Sequence, residues 1–269
     1  MYKDIFDGES IQKSLLTSTM GCEICFYESI DSTNILAGQM AKNGAAHGTL
    51  VVADRQTAGR GRRGRVWESP AGRNLYFTLI LRPNLVPDKA SMLTLVMAQA
   101  VKHAVSRHVE AACGIKWPND LVMNSKKICG ILTEMYVDAG SIGYVLIGVG
   151  VNVGIQEFPE ELLDKATSIE AESEKKPDRK LLLAEILKAF EEEYEIFLEK
   201  QDLSGLREKY NACLVNCGRE VRVLDPKGDY SGVALGINDT GELLVELPDK
   251  SLKTIYAGEV SVRGVYGYV

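Results

Sequence analysis

The feature that most constrains this chain is a change of pattern near Val215. From there the sequence reads as short β-rich runs: Glu220–Leu224, Tyr230–Gly236, Leu243–Leu247, Ser251–Tyr256 and Val260–Arg263. Turn residues separate them, as at Asp225-Pro-Lys-Gly228 and Asn238-Asp-Thr-Gly241. Short strands at hairpin spacing predict a small β-barrel. Before Val215, strand-like and helix-like stretches alternate, which predicts an α/β body. The plan is therefore a body to about residue 212 and a small β unit after it.

Within the body, Ser10–Leu16 reads as a short helix and Glu23–Ile30 as a strand. Asp31 or Ser32 can cap a helix that runs to Lys42 and stops at Gly44. Leu50–Ala53 and Asn74–Leu81 are strands, and Lys89–His108 is a helix with Met92, Leu95, Val96 and Ala100 on one face. Gly114–Trp117 leads into a turn at Pro118-Asn119-Asp120. Leu121–Met123 and Lys127–Tyr136 form a hairpin around Asn124-Ser125, and Gly143–Val153 suits a buried strand. Gln156–Lys176 is acidic and polar; Pro177–Lys200 and Leu203–Ala212 are helices.

The balance is acidic: 31 Lys and Arg against 37 Asp and Glu, a net charge of −6. That argues against a protein built around bulk nucleic-acid binding. No apolar run approaches the roughly 18–20 residues needed to span a bilayer, and Met1–Ser10 lacks the apolar core of a signal peptide. With no secretion signal, the six cysteines are expected to be reduced thiols and the protein cytoplasmic. Cys22 and Cys25 form a C-x-x-C and Cys213 and Cys217 a C-x-x-x-C. A zinc site is one reading; strand alternation at Ile24, Phe26 and Tyr27 favours small buried hydrophobes.

One stretch opposes the charge balance. Arg55–Arg65 contains five arginines and no acid. Gly59, Gly61 and Gly64 free the backbone to turn its amides toward a ligand. Arg60, Arg62, Arg63 and Arg65 present permanent forked donors that match phosphate and carboxylate. The spacing is neither that of a Walker loop nor that of a dinucleotide fold. It indicates an anion-binding loop, self-repelling when empty, without naming the anion; an RGG-like nucleic-acid tract is the alternative. A second cluster is Lys116-Trp-Pro-Asn-Asp120 with Lys126-Lys127 behind it. Asp120 can bind Mg²⁺, orient a nucleophile or accept a proton; an ordinary polar turn is the plain reading. Asp31-Ser-Thr-Asn34 is equally a helix cap. Asn152, in the apolar run Gly148–Val153, needs hydrogen-bond partners.

Taken together these motifs resemble the biotin–protein ligase (biotin–[acetyl-CoA-carboxylase] ligase) family. The resemblance rests on Ser32-Thr-Asn34, Gln56 with Gly59–Arg65, Trp67-x-Ser-Pro70 and Asn74-Leu-Tyr-Phe77. It continues through Lys116–Asp120, Lys127 ahead of Gly130-Ile-Leu132, Gly148–Asn152 and Gly258–Arg263. It implies an α+β fold: a mixed β-sheet with flanking helices, similar to class II aminoacyl-tRNA synthetases, plus an SH3-like C-terminal barrel. The implied units are a linker-like extension over 1–22, a catalytic biotin- and ATP-binding domain over 23–213, and the barrel over 214–269.

The implied reaction activates biotin with MgATP to biotinyl-5′-AMP. Biotin then passes to a lysine of a biotin carboxyl carrier protein or domain of a carboxylase. By resemblance Ser32, Thr33, Asn34 and Gln56 hold biotin, and Arg60, Gly61 and Arg62 close over biotin and the phosphates. Lys127 meets the biotin carboxylate and the α-phosphate. Arg62, Arg63, Asn119, Asn152 and Trp67 are the nucleotide contacts. Asp120 aids the acceptor amine or holds Mg²⁺ through the phosphates; the catalytic set is Lys127, Arg60, Arg62 and Asp120. A lipoate or octanoate ligase or transferase of the same fold is the enzyme alternative. Longer family members add an N-terminal DNA-binding domain. About 22 residues before the first catalytic strand are too few for one, so no specific nucleic-acid or membrane partner is expected. Family members often form homodimers through sheet edges, which extends that expectation to this chain.

Overall fold

The computed structural model describes residues 5–226, 228–256, 261–264 and 269. A run of apolar side chains with no polar face must be covered on both sides. Leu50–Ala53 (β2) and Leu75–Leu81 (β3) are such runs, buried at every residue. With Ile24–Tyr27 (β1), Cys113–Lys116 (β4), Asp120–Met123 (β5), Lys126–Asp138 (β6) and Ser141–Val151 (β7) they form a seven-stranded sheet, in the order β1-β2-β3-β7-β6-β5-β4. Only β1 and β2 run parallel, so the sheet is mixed, as expected.

Strand alternation divides the sheet into two unequal faces. Leu75, Phe77, Leu79 and Leu81 of β3 and Val145, Ile147, Val149 and Val151 of β7 enter the main core. Two helices supply much of the cover there, Leu93–His108 (α3) and Arg179–Lys200 (α5). On the other face Val51, Ile80 and Leu146 form a smaller cluster with Ala37 and Ala41 of Thr33–Lys42 (α2). Beyond Leu146 that face of β7 continues as Gly148 and Gly150, where Asn34 and the Trp67 ring lie close to the backbone. The functional site lies on this glycine floor.

Several elements differ in extent from the sequence reading. The first helix (α1) is Gly8–Ser14, set by a capping box between Asp7 and Ser10. The stretch read as one helix from Lys89 is a 3₁₀ turn, Pro87–Met92, followed by α3. Gly114–Trp117, read as a lead-in, is largely strand β4, because β5 folds back against it. The polar stretch after Gln156 contains a short helix (α4), Ile169–Ser173, capped by Ser168. Asp178 caps α5 by accepting from the backbone of Lys180 and Leu181. Arg207–Cys213 (α6) is shorter than expected. Asn124 and Ser125 both have positive φ, 46° and 64°, as a tight β5–β6 hairpin turn demands.

The C-terminal strands Glu220–Leu224 (β8), Tyr230–Ile237 (β9), Leu243–Glu246 (β10), Leu252–Ile255 (β11) and Ser261–Gly264 (β12) form one antiparallel sheet, ordered β11-β10-β9-β8-β12. Of the last motif, Gly258–Val260 lie outside the described residues. Val221, Val223, Ala234, Leu243 and Val245 join the core shared with the first sheet.

Candidate active site

The site begins with space created by missing side chains. A Cβ on Gly148 would stand 1.9 Å from Asn34 Oδ1, and one on Gly150 2.4 Å from Trp67 Nε1. A Cβ on Gly130 would stand 2.9 Å from both Lys127 Nζ and a Trp67 ring carbon. Gly130 and Gly150 face each other across β6 and β7, with Gly148 opposite Leu132. Over this floor lies a pocket lined among others by Ser32, Thr33, Asn34, Gln56, Arg60, Gly61, Trp67 and Lys127. Eight residues singled out in the sequence thus meet in one place.

The wall at the start of α2 is a polar network. Ser32 occupies the cap position and is 1% exposed, yet its side chain makes no capping hydrogen bond. The helix-cap reading therefore does not account for it. Gln56 Oε1 accepts from the Thr33 amide (2.9 Å) and from Thr33 Oγ1 (3.1 Å), while Gln56 Nε2 donates to Ser69 Oγ (2.9 Å). Thr78 Oγ1 donates to Asn34 Oδ1 (2.6 Å) and lies 2.9 Å from Thr33 Oγ1. Gly59 permits the close approach, since a Cβ there would fall 2.3 Å from Trp67 O and 2.8 Å from Ser69 Oγ.

The arginine loop holds a single 3₁₀ turn, Arg62–Gly64, with Arg63 in the left-handed region at φ 58°. Arg60 and Arg62 both bond within the protein. Arg60 forms a two-pronged pair with Glu134, Nη1 to Oε2 at 3.2 Å and Nη2 to Oε1 at 2.9 Å. Arg62 Nη1 donates to Asn119 Oδ1 (2.6 Å). These contacts offset the self-repulsion expected of the empty loop. Arg62 and Asn119 line a second, neighbouring cavity of about 410 Å³ with Thr94, Pro118 and Thr133. Burial pushes the Arg62 guanidinium down from its ordinary value; Asp120 opposes that shift, and Arg63 and Arg65 add to it. Arg63 is exposed at the loop's outer side.

At the opposite end Lys127 Nζ pairs with Asp120 Oδ1 at 2.6 Å and stands 5.2 Å from the centre of the Trp67 ring. Trp67 Nε1 is buried with no hydrogen-bond partner among the described residues, the state of a donor facing a ligand site. Asn152 is 3% exposed, and its Nδ2 donates to Thr167 O (3.0 Å). Its backbone also accepts from Ile169. It ties the 153–168 segment to the sheet and does not line the pocket. Among the described residues no group of three His, Cys, Asp or Glu could hold a metal ion.

Three participants escaped the sequence reading: Ser69 as a bonding partner, Thr78 and Glu134. Thr78 carried a signal, as a hydroxyl inside the apolar run Leu75–Leu81 must find a partner. Glu134 carried a fainter one, in phase with Gly130 and Leu132 on β6.

Comparison with known proteins places this geometry. Residues 26–152 match the biotin/lipoate A/B protein ligase family, and residues 217–263 match the biotin protein ligase C-terminal domain. The bifunctional ligase/repressor BirA of Bacillus subtilis is 38% identical over 254 residues, covering 94% of this chain and 78% of that protein. A biotin–[acetyl-CoA-carboxylase] ligase of Mycobacterium tuberculosis is 33% identical, with 85% of each chain covered. The biotin protein ligase of Aquifex aeolicus, solved with biotin and ATP, superposes with a TM-score of 0.77 at 32% identity, covering 90% of this chain and 99% of that one. With these matches along nearly its whole length, the chain belongs to the biotin protein ligase family.

Proposed function

We propose that this protein activates biotin with ATP to biotinyl-5′-AMP and transfers the biotinyl group to a lysine of a biotin carboxyl carrier protein or domain. The observation that carries the reading is the single pocket joining Ser32–Asn34, Gln56 and Arg60 to Lys127 across a glycine floor. A flat, fused-ring ligand with an acidic tail fits a pocket with a polar wall, a side-chain-free floor and a cation at one end. Residues 23–213 are the catalytic unit and 214–269 the C-terminal unit of this reading.

In the first step the biotin carboxylate oxygen attacks the α-phosphorus and the bond to pyrophosphate breaks. Two anions must approach, so fixed cations are needed. Lys127 serves the carboxylate and α-phosphate end, and Arg62 the phosphates. Arg60 and Gly61 cover the pocket and shield the mixed anhydride from water. Trp67 covers the nucleotide side, and Asn119 and Arg63 stand beside the phosphates. Asn152 contributes by anchoring the segment at the adenine end. Mg²⁺ supplies charge neutralisation when it arrives on the nucleotide phosphates. Asp120 is the carboxylate suited to it, since Mg²⁺ commonly takes one or two carboxylates with phosphate oxygens. In the second step the acceptor amine attacks the acyl carbon, AMP leaves, and Asp120 assists loss of the amine proton.

No helix among the described residues is long and apolar enough to cross a membrane, and all six cysteines are free, which supports a cytoplasmic setting. The inward bonding of Arg60 and Arg62 favours a small-anion site over a nucleic-acid face. Beyond Gly130 no strand pairs with the outer edge of β6 among the described residues, and Tyr136 and Val137 there are exposed. A second copy would pair along this edge. The decisive experiment combines protein, ATP, Mg²⁺, biotin and a purified carrier domain. The expected result is biotin-dependent pyrophosphate release and label on one lysine. Release with lipoate in place of biotin would instead indicate the lipoate ligase branch.

A further inference from the structure

Glu134 has no role in any assignment made so far, yet it touches both walls of the pocket. It lies on β6, two residues beyond Leu132 and on the same face as Gly130. Its carboxylate receives both terminal nitrogens of Arg60 at 2.9 and 3.2 Å, and Asn34 Nδ2 at 3.0 Å. Asn34 is 5% exposed, and its other amide atom accepts from Thr78. A carboxylate oxygen and a hydroxyl donor together leave the Asn34 amide one orientation. Gly148 leaves the room this amide occupies.

The charge arrangement separates the arginines. Arg60 is matched by a carboxylate of its own, in the two-pronged geometry that fixes a guanidinium plane. Arg62 bonds to the Asn119 amide with the Asp120 charge acting on it. A guanidinium gripped on both terminal nitrogens by one carboxylate is held in a fixed plane and gains little from a second anion. The Arg60–Glu134 pair is 45% and 32% exposed, so its value lies in geometry more than in stability.

We propose that Glu134 is a positioning residue for biotin. It holds Arg60 as a strap from the arginine loop to β6 across the pocket, and it fixes Asn34 in the wall beneath. Arg60 then closes the pocket. This rests on the ligase reading for its substrate, while the strap itself is a property of the ligand-free chain.

The test uses E134A, E134Q, R60A and the double variant R60A/E134A in the full chain. In biotin-dependent ATP–pyrophosphate exchange, E134A is expected to raise the biotin KM by about tenfold or more, from loss of charged hydrogen bonds, with kcat changed far less. E134Q keeps one acceptor for the three donors and should fall between E134A and the native chain. The double variant should be no worse than the more impaired single variant, as coupled residues are non-additive. Without ligand, limited trypsin digestion should cut E134A faster within residues 60–65 and unchanged elsewhere. An unaltered KM together with native cleavage in this loop, or strictly additive effects of the two substitutions, would overturn the proposal. Absence of exchange in the native chain would overturn the ligase reading and leave the digestion to decide the strap. E134Q keeps the test open where E134A fails to fold.

Discussion

Trp117 Nε1 donates to Gly241 O across 3.0 Å, joining the loop that carries Asn119 and Asp120 to the β9–β10 turn. Trp117 is 1% exposed. The turn is itself braced: Gly241 N donates to Asn238 O, and Leu203 N to Asp239 O. Arg207 pairs with Asp239 at 2.7 Å. The C-terminal sheet thus sets the position of the residues that face Arg62 and Lys127.

Trp117→Phe should keep most of the buried ring and remove only the donor, leaving Gly241 O unsatisfied. The expected cost is about 1–3 kcal/mol in urea denaturation. Biotin-dependent pyrophosphate exchange should drop more than biotin binding, because the brace serves the Asn119–Asp120 end. Equal losses in both assays would mean that the barrel contact is structural alone.

Gly148→Ala places a methyl 1.9 Å from Asn34 Oδ1. Gly148 carries no positive φ, so the backbone tolerates alanine and the conflict is with the Asn34 amide. Displacing it breaks the bonds to Thr78 and Glu134 together. Calorimetric biotin affinity should fall by about tenfold or more, and overpacking should cost about 1–3 kcal/mol of stability. Native affinity in this variant would remove Asn34 from the biotin wall.

How much of this was legible in the sequence depends on where each determinant sits. Leu50–Ala53 and Leu75–Leu81 announce themselves, because burial on both faces leaves apolar residues and only two hydroxyls, those of Tyr76 and Thr78. The arginine loop and Lys116–Asp120 are legible because glycines, charges and a proline do not mix that way without a local reason. Glu134 is different: its partners are 74 and 100 positions away, and only the register of β6 against β7 brings them together. Strand β4 and helix α4 were obscured similarly. Their lengths, four and five residues, are too short for periodicity, and β5 and Ser168 define them. Asn152 shows the limit of motif transfer. Its need for partners was readable, but not that they would be Thr167 O and Gln156 Nε2, both in the segment that follows β7.

Lys127→Ala removes the ammonium 2.6 Å from Asp120 while leaving β6 apolar and paired. If Lys127 meets charge that develops at the α-phosphate, adenylation should fall by about 10²–10³, the usual loss for one such donor. Lys127→Ala leaves the mostly buried Asp120 without this partner, so thermal unfolding should come at a lower temperature, and adenylation is compared at a temperature where both proteins are folded. Lys127→Arg keeps charge but changes its shape and should recover only part of the rate. Normal biotinyl-AMP formation by Lys127→Ala in rapid quench would exclude the role.

Glu193 provides a pH dependence distant from the site. It is 9% exposed between α3 and α5, and its Oε1 accepts from Gln99 Nε2 at 3.3 Å while Oε2 has no hydrogen-bond partner among the described residues. Burial pushes its carboxyl up from the ordinary 4.5 to about 8; Gln99 and Lys209 oppose the shift, and Glu192 adds to it. A raised native value means that the folded state holds the proton more tightly than the unfolded one. The resulting stability is fully present below about pH 4.5, declines as pH rises, and is gone above about 8. Within that window the slope approaches about 1.4 kcal/mol per pH unit. Glu193→Gln carries a neutral amide at every pH, so it should match the native chain near pH 5 and exceed it in stability at pH 8. Urea midpoints at the two pH values check this, and parallel pH profiles for both proteins would show that Glu193 stays ionised in the fold.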